Sequence, residues 1–270
     1  MYENVFEIKN ITFRYDELTA ISDLSLCIAK NQRIAVLGAN GSGKSTLLRL
    51  LDGIYFPESG TITAFGETLS EETLQSEEFA FAFRRRVALV FQNPDVQLFN
   101  PTVFDEIAFS PLQMRWSKDE IRRKVNETMD LMEISHLKDR SPHRLSGGEK
   151  KRVALASVLI LEPEVLLLDE PTAALDPKSQ SRVIDFLIGW GNENKTVITA
   201  THDLDIVESI ADHCFVFQNG RIVGSGTPRE VLGNQELLEK TNLIHSHRHT
   251  HSASETHSHP HLHRFHEHEH

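Results

Sequence analysis

Nine consecutive residues constrain this chain more than any others. Gly38-Ala39-Asn40-Gly41-Ser42-Gly43-Lys44-Ser45-Thr46 follows the apolar run Arg33 to Leu37 and leads into a helix-like stretch from Ser45 to Leu51. The pattern is G-x-x-x-x-G-K-[ST]. Its glycines let successive backbone N–H groups turn inward around phosphates, its lysine reaches the terminal phosphates, and its hydroxyl faces magnesium. Such a loop sits between a buried strand and a helix N-terminus, so it points to an α/β fold. The glycine order is not G-x-G-x-x-G, which disfavours a dinucleotide. Gly38, Asn40, Gly41, Ser42, Gly43, Lys44, Ser45 and Thr46 are therefore candidate nucleotide-binding residues, with Ser45 also on magnesium.

The rest of the chain supplies a matching rhythm. Phe6 to Tyr15, Leu24 to Ile28, Thr61 to Phe65 and Val87 to Phe91 read as strands, and Val103 to Met114 and Lys118 to Met132 as helices. A mainly helical subdomain is expected over about residues 93 to 160. The alternation then returns with strands at Val165 to Leu168 and Thr196 to Ala200, a helix from Lys178 to about Trp190, a helix after His202, and strands near Phe215 and Ile222. Most of these strands are apolar on both faces, as a sheet covered by helices requires. Arg84-Arg85-Arg86 is expected to be a solvated charge run.

A phosphate loop needs a second, acidic site. Val165-Leu166-Leu167-Leu168-Asp169-Glu170 delivers two carboxylates at the C-terminal end of a buried strand, where ligands of open α/β sheets bind. Asp169 is expected to hold magnesium and Glu170 to polarise the attacking water.

Composition excludes several classes. The two cysteines, Cys27 and Cys214, are far apart and form no CxxC, which argues against a disulfide framework or zinc ribbon. A net charge of -11 has the wrong sign for a nucleic-acid binder. The longest apolar stretch, Val153 to Leu161, falls short of the roughly 20 residues that span a bilayer, and the first residues carry no signal-peptide pattern. Any membrane role is expected to be peripheral, on the cytoplasmic face of the cell membrane.

With Leu145-Ser146-Gly147-Gly148-Glu149, which resembles a signature loop, the chain is similar to the ATP-binding-cassette ATPases over about residues 5 to 242. That resemblance implies a P-loop NTPase sheet core with an antiparallel β subdomain and an inserted helical subdomain. It implies ATP and Mg²⁺ as cofactors and a head-to-tail dimer, in which Ser146, Gly147 and Gly148 face the nucleotide of the other protomer. By the same resemblance Gln92 senses the γ-phosphate and magnesium, Asp176 lies in a loop at the dimer interface, and His202 contacts the γ-phosphate and positions Glu170. Tyr15 stands where an aromatic stacks on adenine.

Phe91 to Phe99, followed by Thr102 to Phe109, resembles the ATPases of energy-coupling-factor importers, especially the cobalt and nickel branch. Those subunits form homo- or heterodimers beneath an integral membrane coupling subunit and a substrate-binding membrane component. Leu98, Phe99, Phe104, Phe109, Leu112, Met114 and Trp116 crowd into one short segment, dense enough for an apolar groove that takes a partner helix.

Of 15 histidines, 11 lie in the last 26 residues: His245, His247, His249, His251, His257, His259, His261, His263, His266, His268 and His270. Alternate residues of an extended chain point the same way, so each H-x-H-x-H run offers several imidazoles to one ion such as Ni²⁺ or Co²⁺. No fold is needed. The chain is thus expected to divide into an ATPase body, residues 1–242, and a disordered histidine-rich tail, residues 243–270. The expected function is ATP hydrolysis that energises cobalt or nickel import. The alternatives are a vitamin importer of the same type and a soluble cassette protein outside transport.

Overall fold

The computed structural model describes residues 4–191, 194–244, 246–250 and 256–260. In chain order the elements begin with β1 (Asn4–Tyr15), β2 (Leu18–Ala29), β3 (Arg33–Leu37), α1 (Lys44–Leu51), β4 (Ser59–Ala64) and β5 (Glu67–Thr68). The middle comprises α2 (Glu71–Leu74), α3 (Glu77–Arg86), β6 (Val87–Val90), α4 (Val103–Gln113), α5 (Lys118–Leu131) and α6 (Gly147–Leu159). Then follow β7 (Val165–Asp169), α7 (Pro177–Gly191), β8 (Thr196–Thr201), α8 (Val207–Ile210), β9 (His213–Gln218), β10 (Arg221–Gly226), α9 (Pro228–Gly233) and α10 (Gln235–Lys240). Two short strands, β11 (Ser246–Thr250) and β12 (Thr256–Pro260), lie in the tail.

The main sheet has the order β10-β9-β3-β8-β7-β6 and is parallel from β9 to β6. Its strands read as unbroken apolar runs because both faces are covered, and successive side chains point to opposite faces. Along β7, Val165 and Leu167 join a cluster with α1 and the second sheet, while Leu166 and Leu168 join one with α4, α5 and α6. Along β3, Ile34 and Val36 face the first cluster, and Ala35 and Leu37 the other. The second sheet, β2-β1-β4-β5, is antiparallel, and its apolar side carries Phe6, Ile8, Ile11, Ile21 and Ile62.

Two expectations change at the level of packing. Arg84 and Arg85 are exposed, but Arg86 is not part of a solvated run. Its guanidinium donates to both carboxylate oxygens of Glu164 at 2.7 and 3.2 Å and lies 3.3 Å from the centre of the Phe65 ring. The run is the last turn of α3, which buries Phe83, so its third arginine is carried back over the start of β7. The apolar segment after β6 divides likewise. Leu98 is core and Phe104 and Trp116 pack against it, whereas Val96, Phe99 and Leu112 are 68%, 62% and 54% exposed.

Beyond Ile244 the described residues belong to β11 and β12. β11 and β12 pair antiparallel as a sheet of their own, with His247 opposite His259 and His249 opposite His257. An isolated two-stranded ladder is marginal in water, which accords with a tail expected to lack a fold. Among the described residues no helix is long and apolar enough to cross a membrane.

Candidate functional site

Parallel pairing decides where the chemistry collects. Leu37 is paired with Thr201, Asp169 with Ala200 and Val90 with Leu168, so β3, β8, β7 and β6 all end at one edge of the sheet. The residues next in sequence to those ends are Gly38, His202, Glu170 and Gln92 with its neighbour Phe91. Segments more than a hundred positions apart in sequence thus meet at one edge.

The loop between β3 and α1 needs glycine at its last turn. Gly43 has φ of 108°, and a Cβ there would stand 2.6 Å from the Ala20 carbonyl oxygen. The Lys44 ammonium is buried and donates to the carbonyls of Gly38 at 2.7 Å and Ala39 at 3.3 Å. It stands 3.5 Å from Oε1 of Glu170. The Ser45 hydroxyl donates to Oδ1 of Asp169 at 2.9 Å. Ser42 is buried and its Oγ has no hydrogen-bond partner. A phosphate chain with magnesium fits these groups: an orphaned hydroxyl, a buried ammonium, and a hydroxyl beside a carboxylate of the kind a hard cation selects.

Glu170 is gripped from three sides. Its Oε1 lies 2.8 Å from Nδ1 of His202, its Oε2 accepts from the Thr201 hydroxyl at 3.2 Å, and its backbone N–H donates to the Ala200 carbonyl at 2.9 Å. Its φ of 45° is uncommon for a residue with a side chain. Burial raises the Asp169 carboxyl above its ordinary 3.8, against the Ser45 hydrogen bond, and the neighbouring Glu170 adds to the rise. Burial likewise lowers the Lys44 ammonium, opposed by Glu170 and Asp169. A dication entering beside Asp169 would favour its ionised form.

Tyr15, Asn40 to Thr46, Gln92 and Glu170 line one cavity of about 370 Å³. Leu18, Thr19 and Ala20 line it too, from the start of β2. Sequence reasoning missed these three because nothing local to the hairpin marks it as a wall of the loop. The Tyr15 hydroxyl lies 3.3 Å from the Thr46 hydroxyl, and its ring meets Phe13 and Tyr55 edge-on. Thr201 was also missed, since its role is visible only through Glu170.

Ser146, Gly147, Gly148 and Asp176 are not among the residues lining that cavity. They form a second group. Ser146 caps α6, accepting from the Glu149 N–H, while Glu149 accepts from the Ser146 N–H at 2.8 Å. The carboxylate of Glu149 is thereby held below its ordinary 4.5. Asp176 accepts from the N–H and hydroxyl of Ser179 at the start of α7. A Cβ on Gly148 would stand 2.5 Å from that same Ser179 hydroxyl, so the signature turn packs directly on the Asp176 loop.

The metal ligands expected in the tail include His245, His251, His261, His263, His266, His268 and His270, which lie outside the described residues, as do the side chains of His247, His249, His257 and His259. Among the described residues no group of three or more His, Cys, Asp or Glu side chains is placed to hold a metal ion.

Known proteins share this organisation. Residues 21–173 match the family model of the ABC transporter. The chain is 52% identical over 242 residues to the nickel import ATP-binding protein NikO of Rhodobacter capsulatus, covering 88% of this chain and 95% of that one. It is 42% identical over 238 residues to the energy-coupling factor transporter ATP-binding protein EcfA of Carboxydothermus hydrogenoformans, covering 88% and 86%. Among solved structures, cbiO1 of Clostridium perfringens, part of the ABC transporter complex cbiONQ, superposes with a TM-score of 0.75 at 38% identity over 89% of this chain and 95% of that one. With a phosphate loop and a strand-end acid pair at one sheet edge, a signature turn that opens α6, and these relatives over nearly all of the body, the chain belongs to the ATPases of the ABC transporter family.

Proposed function

We propose that this chain is the ATP-hydrolysing subunit of a transition-metal importer, with nickel or cobalt as its cargo. The observation that carries hydrolysis is the convergence of Lys44 and His202 on one oxygen of Glu170, beside the Ser45–Asp169 pair. Gly38 to Thr46 bind the phosphates, and Tyr15 takes the adenine. Ser45, Asp169 and Gln92 hold magnesium, which when bound neutralises charge on the phosphates. Glu170 orients the attacking water and draws its proton, while His202 and Thr201 keep that carboxylate aimed. Ser146, Gly147, Gly148 and Asp176 serve the nucleotide site of a second ATPase subunit, identical or related.

The body, through Ile244, acts from the cytoplasmic face of the membrane. The exposed side chains of Val96, Phe99 and Leu112 offer an apolar face to an integral membrane coupling subunit, which works with a substrate-binding membrane component. The histidine-rich tail beyond Ile244 receives or buffers delivered Ni²⁺ or Co²⁺; Leu243 and Ile244, expected in the tail, pack on the body instead. Likeness to a nickel import ATP-binding protein supports the metal cargo. Likeness to an energy-coupling factor ATPase supports a second reading, a vitamin importer of the same type. Reconstituting the chain in vesicles with the membrane proteins encoded beside it, and measuring ATP-dependent uptake of Ni²⁺, Co²⁺ and vitamins, separates the two. Vitamin uptake without metal uptake would replace the first reading by the second.

A further inference from the structure

The loop that follows β6 is fastened to α6 by three side chains. Lys150 pairs with Asp95 at 2.7 Å. Gln97 donates from Nε2 to the Ala154 carbonyl at 2.8 Å and the Ser157 hydroxyl at 3.1 Å, and its Oε1 accepts from the Phe91 N–H at 3.3 Å. The third fastening is Lys151, 1% exposed, whose ammonium donates to the Phe91 carbonyl at 3.0 Å and the Gln92 carbonyl at 3.2 Å.

Those two carbonyls belong to the peptide planes on either side of the Gln92 Cα. Peptide units are rigid, so holding both planes fixes φ and ψ of the residue between them, and with them the direction of its Cβ. Gln92 itself is exposed toward the nucleotide cavity, while its backbone is pinned from below. A buried lysine is costly, and here no carboxylate touches it directly. Burial pushes the ammonium down to about 8, with Asp169 and Glu170 pulling the other way. Its two hydrogen bonds, at 3.0 and 3.2 Å, are the partners that compensate the burial.

We propose that Lys151 is a positioning residue for Gln92, fixing the backbone that aims its amide and tying the loop to the helix that begins at Ser146–Gly148. A shift of the signature turn then reaches Gln92 of the same chain as a shift of its main chain. The inference rests on Gln92 facing magnesium, and the test separates the two ideas.

In the nucleotide-free full chain, hydrogen–deuterium exchange is measured across residues 91–98 for wild type, K151R and K151M. K151M is expected to exchange about tenfold faster there, the loss of about one hydrogen bond, with β3 and β7 still protected. K151R, which keeps donors on the same carbonyls, is expected to restore most of the protection. The magnesium concentration for half-maximal ATPase is then measured for K151M, Q92A and the double variant. The expected result is a rise in each single variant, by about tenfold for K151M, and a double variant no worse than Q92A. Additive effects, or unchanged exchange in K151M, overturn the role of Lys151 while leaving that of Gln92. An unchanged magnesium requirement in Q92A overturns both. If K151M does not fold, K151Q replaces it, since its shorter amide reaches at most one carbonyl and carries the same expectation at smaller size.

Discussion

His202 holds Glu170 by the oxygen that also faces Lys44: Nδ1 of the imidazole lies 2.8 Å from Oε1, and Nζ of the lysine 3.5 Å from it. One carboxylate oxygen therefore reports on the lysine of the phosphate loop and on the strand-end histidine together. Glu170→Gln keeps the shape of this contact and removes its charge. Hydrolysis should fall by roughly 10²-fold or more with ATP binding retained, as read by phosphate release against a nucleotide titration. Wild-type turnover in this variant would remove Glu170 from the chemistry.

Because His202 works through Glu170, the two should not act independently. Combining His202→Ala with Glu170→Gln should leave a residual rate within about threefold of Glu170→Gln alone. Single-turnover assays on the four proteins of the cycle would reveal additivity, and additivity would mean that His202 has a separate task.

Lys44→Ala is expected to act on binding. The ammonium sits against the Gly38 and Ala39 carbonyls at the mouth of the phosphate loop, so its loss removes a charge-assisted contact in the ground state. Calorimetric titration should show ATP affinity lower by about tenfold or more. Unchanged affinity would contradict the placement of phosphates on this lysine.

Arg86 and Glu164 supply a stability prediction with a defined pH window. The guanidinium holds the Glu164 carboxyl below its ordinary 4.5, so the folded state favours the ionised form. Stability from the pair is present above pH 4.5 and is lost as pH falls through the lowered value. Glu164→Gln should lower the melting temperature slightly at neutral pH, because a half-exposed pair is screened by solvent and salt. The difference from wild type should close as pH falls below the lowered value. A gap that persists in acid would assign the effect to packing on Phe65.

For the tail, the cut belongs after Ile244, whose side chain is 8% exposed and whose N–H is turned back to the Leu238 carbonyl. A body ending there should keep its ATPase activity and lose most Ni²⁺ and Co²⁺ binding in equilibrium dialysis. The intact chain should release metal as pH falls from about 7.5 to 5.5, because imidazole with an ordinary pKa of about 6.5 binds metal only when neutral. Equal binding by both proteins would make the histidines bystanders.

What could be read from the sequence was what is contiguous. Arg33 to Thr46 and Val165 to Glu170 each carry a strand and the reactive groups at its end in one short run, so their chemistry was legible before their neighbours were known. The walls and props were not. Ala20, Thr201 and Lys151 act by touching residues distant in sequence or by holding a main chain, and nothing in their residue type signals it. Lys151 stands beside Lys150 in an ordinary basic pair, yet one is buried under two carbonyls and the other bridges to an exposed aspartate. Arg86 was misread for the same reason, since only the turn of α3 separates it from its exposed neighbours.

The order of strands also sets when the enzyme comes into being. β3 and β7, which carry the phosphate loop and the acid pair, never touch as neighbours, because β8 lies between them and is paired to both. A chain emerging from the ribosome has made both motifs well before residues 196–201 appear, yet it has no ladder to bring them to one edge. Long-range pairing of this kind is slow, and it leaves apolar strand edges open meanwhile. Synthesis therefore passes through a stage in which the phosphate loop and the acid pair are both made but not yet joined, and one late strand brings them to a common edge together with Thr201 and His202 at its end.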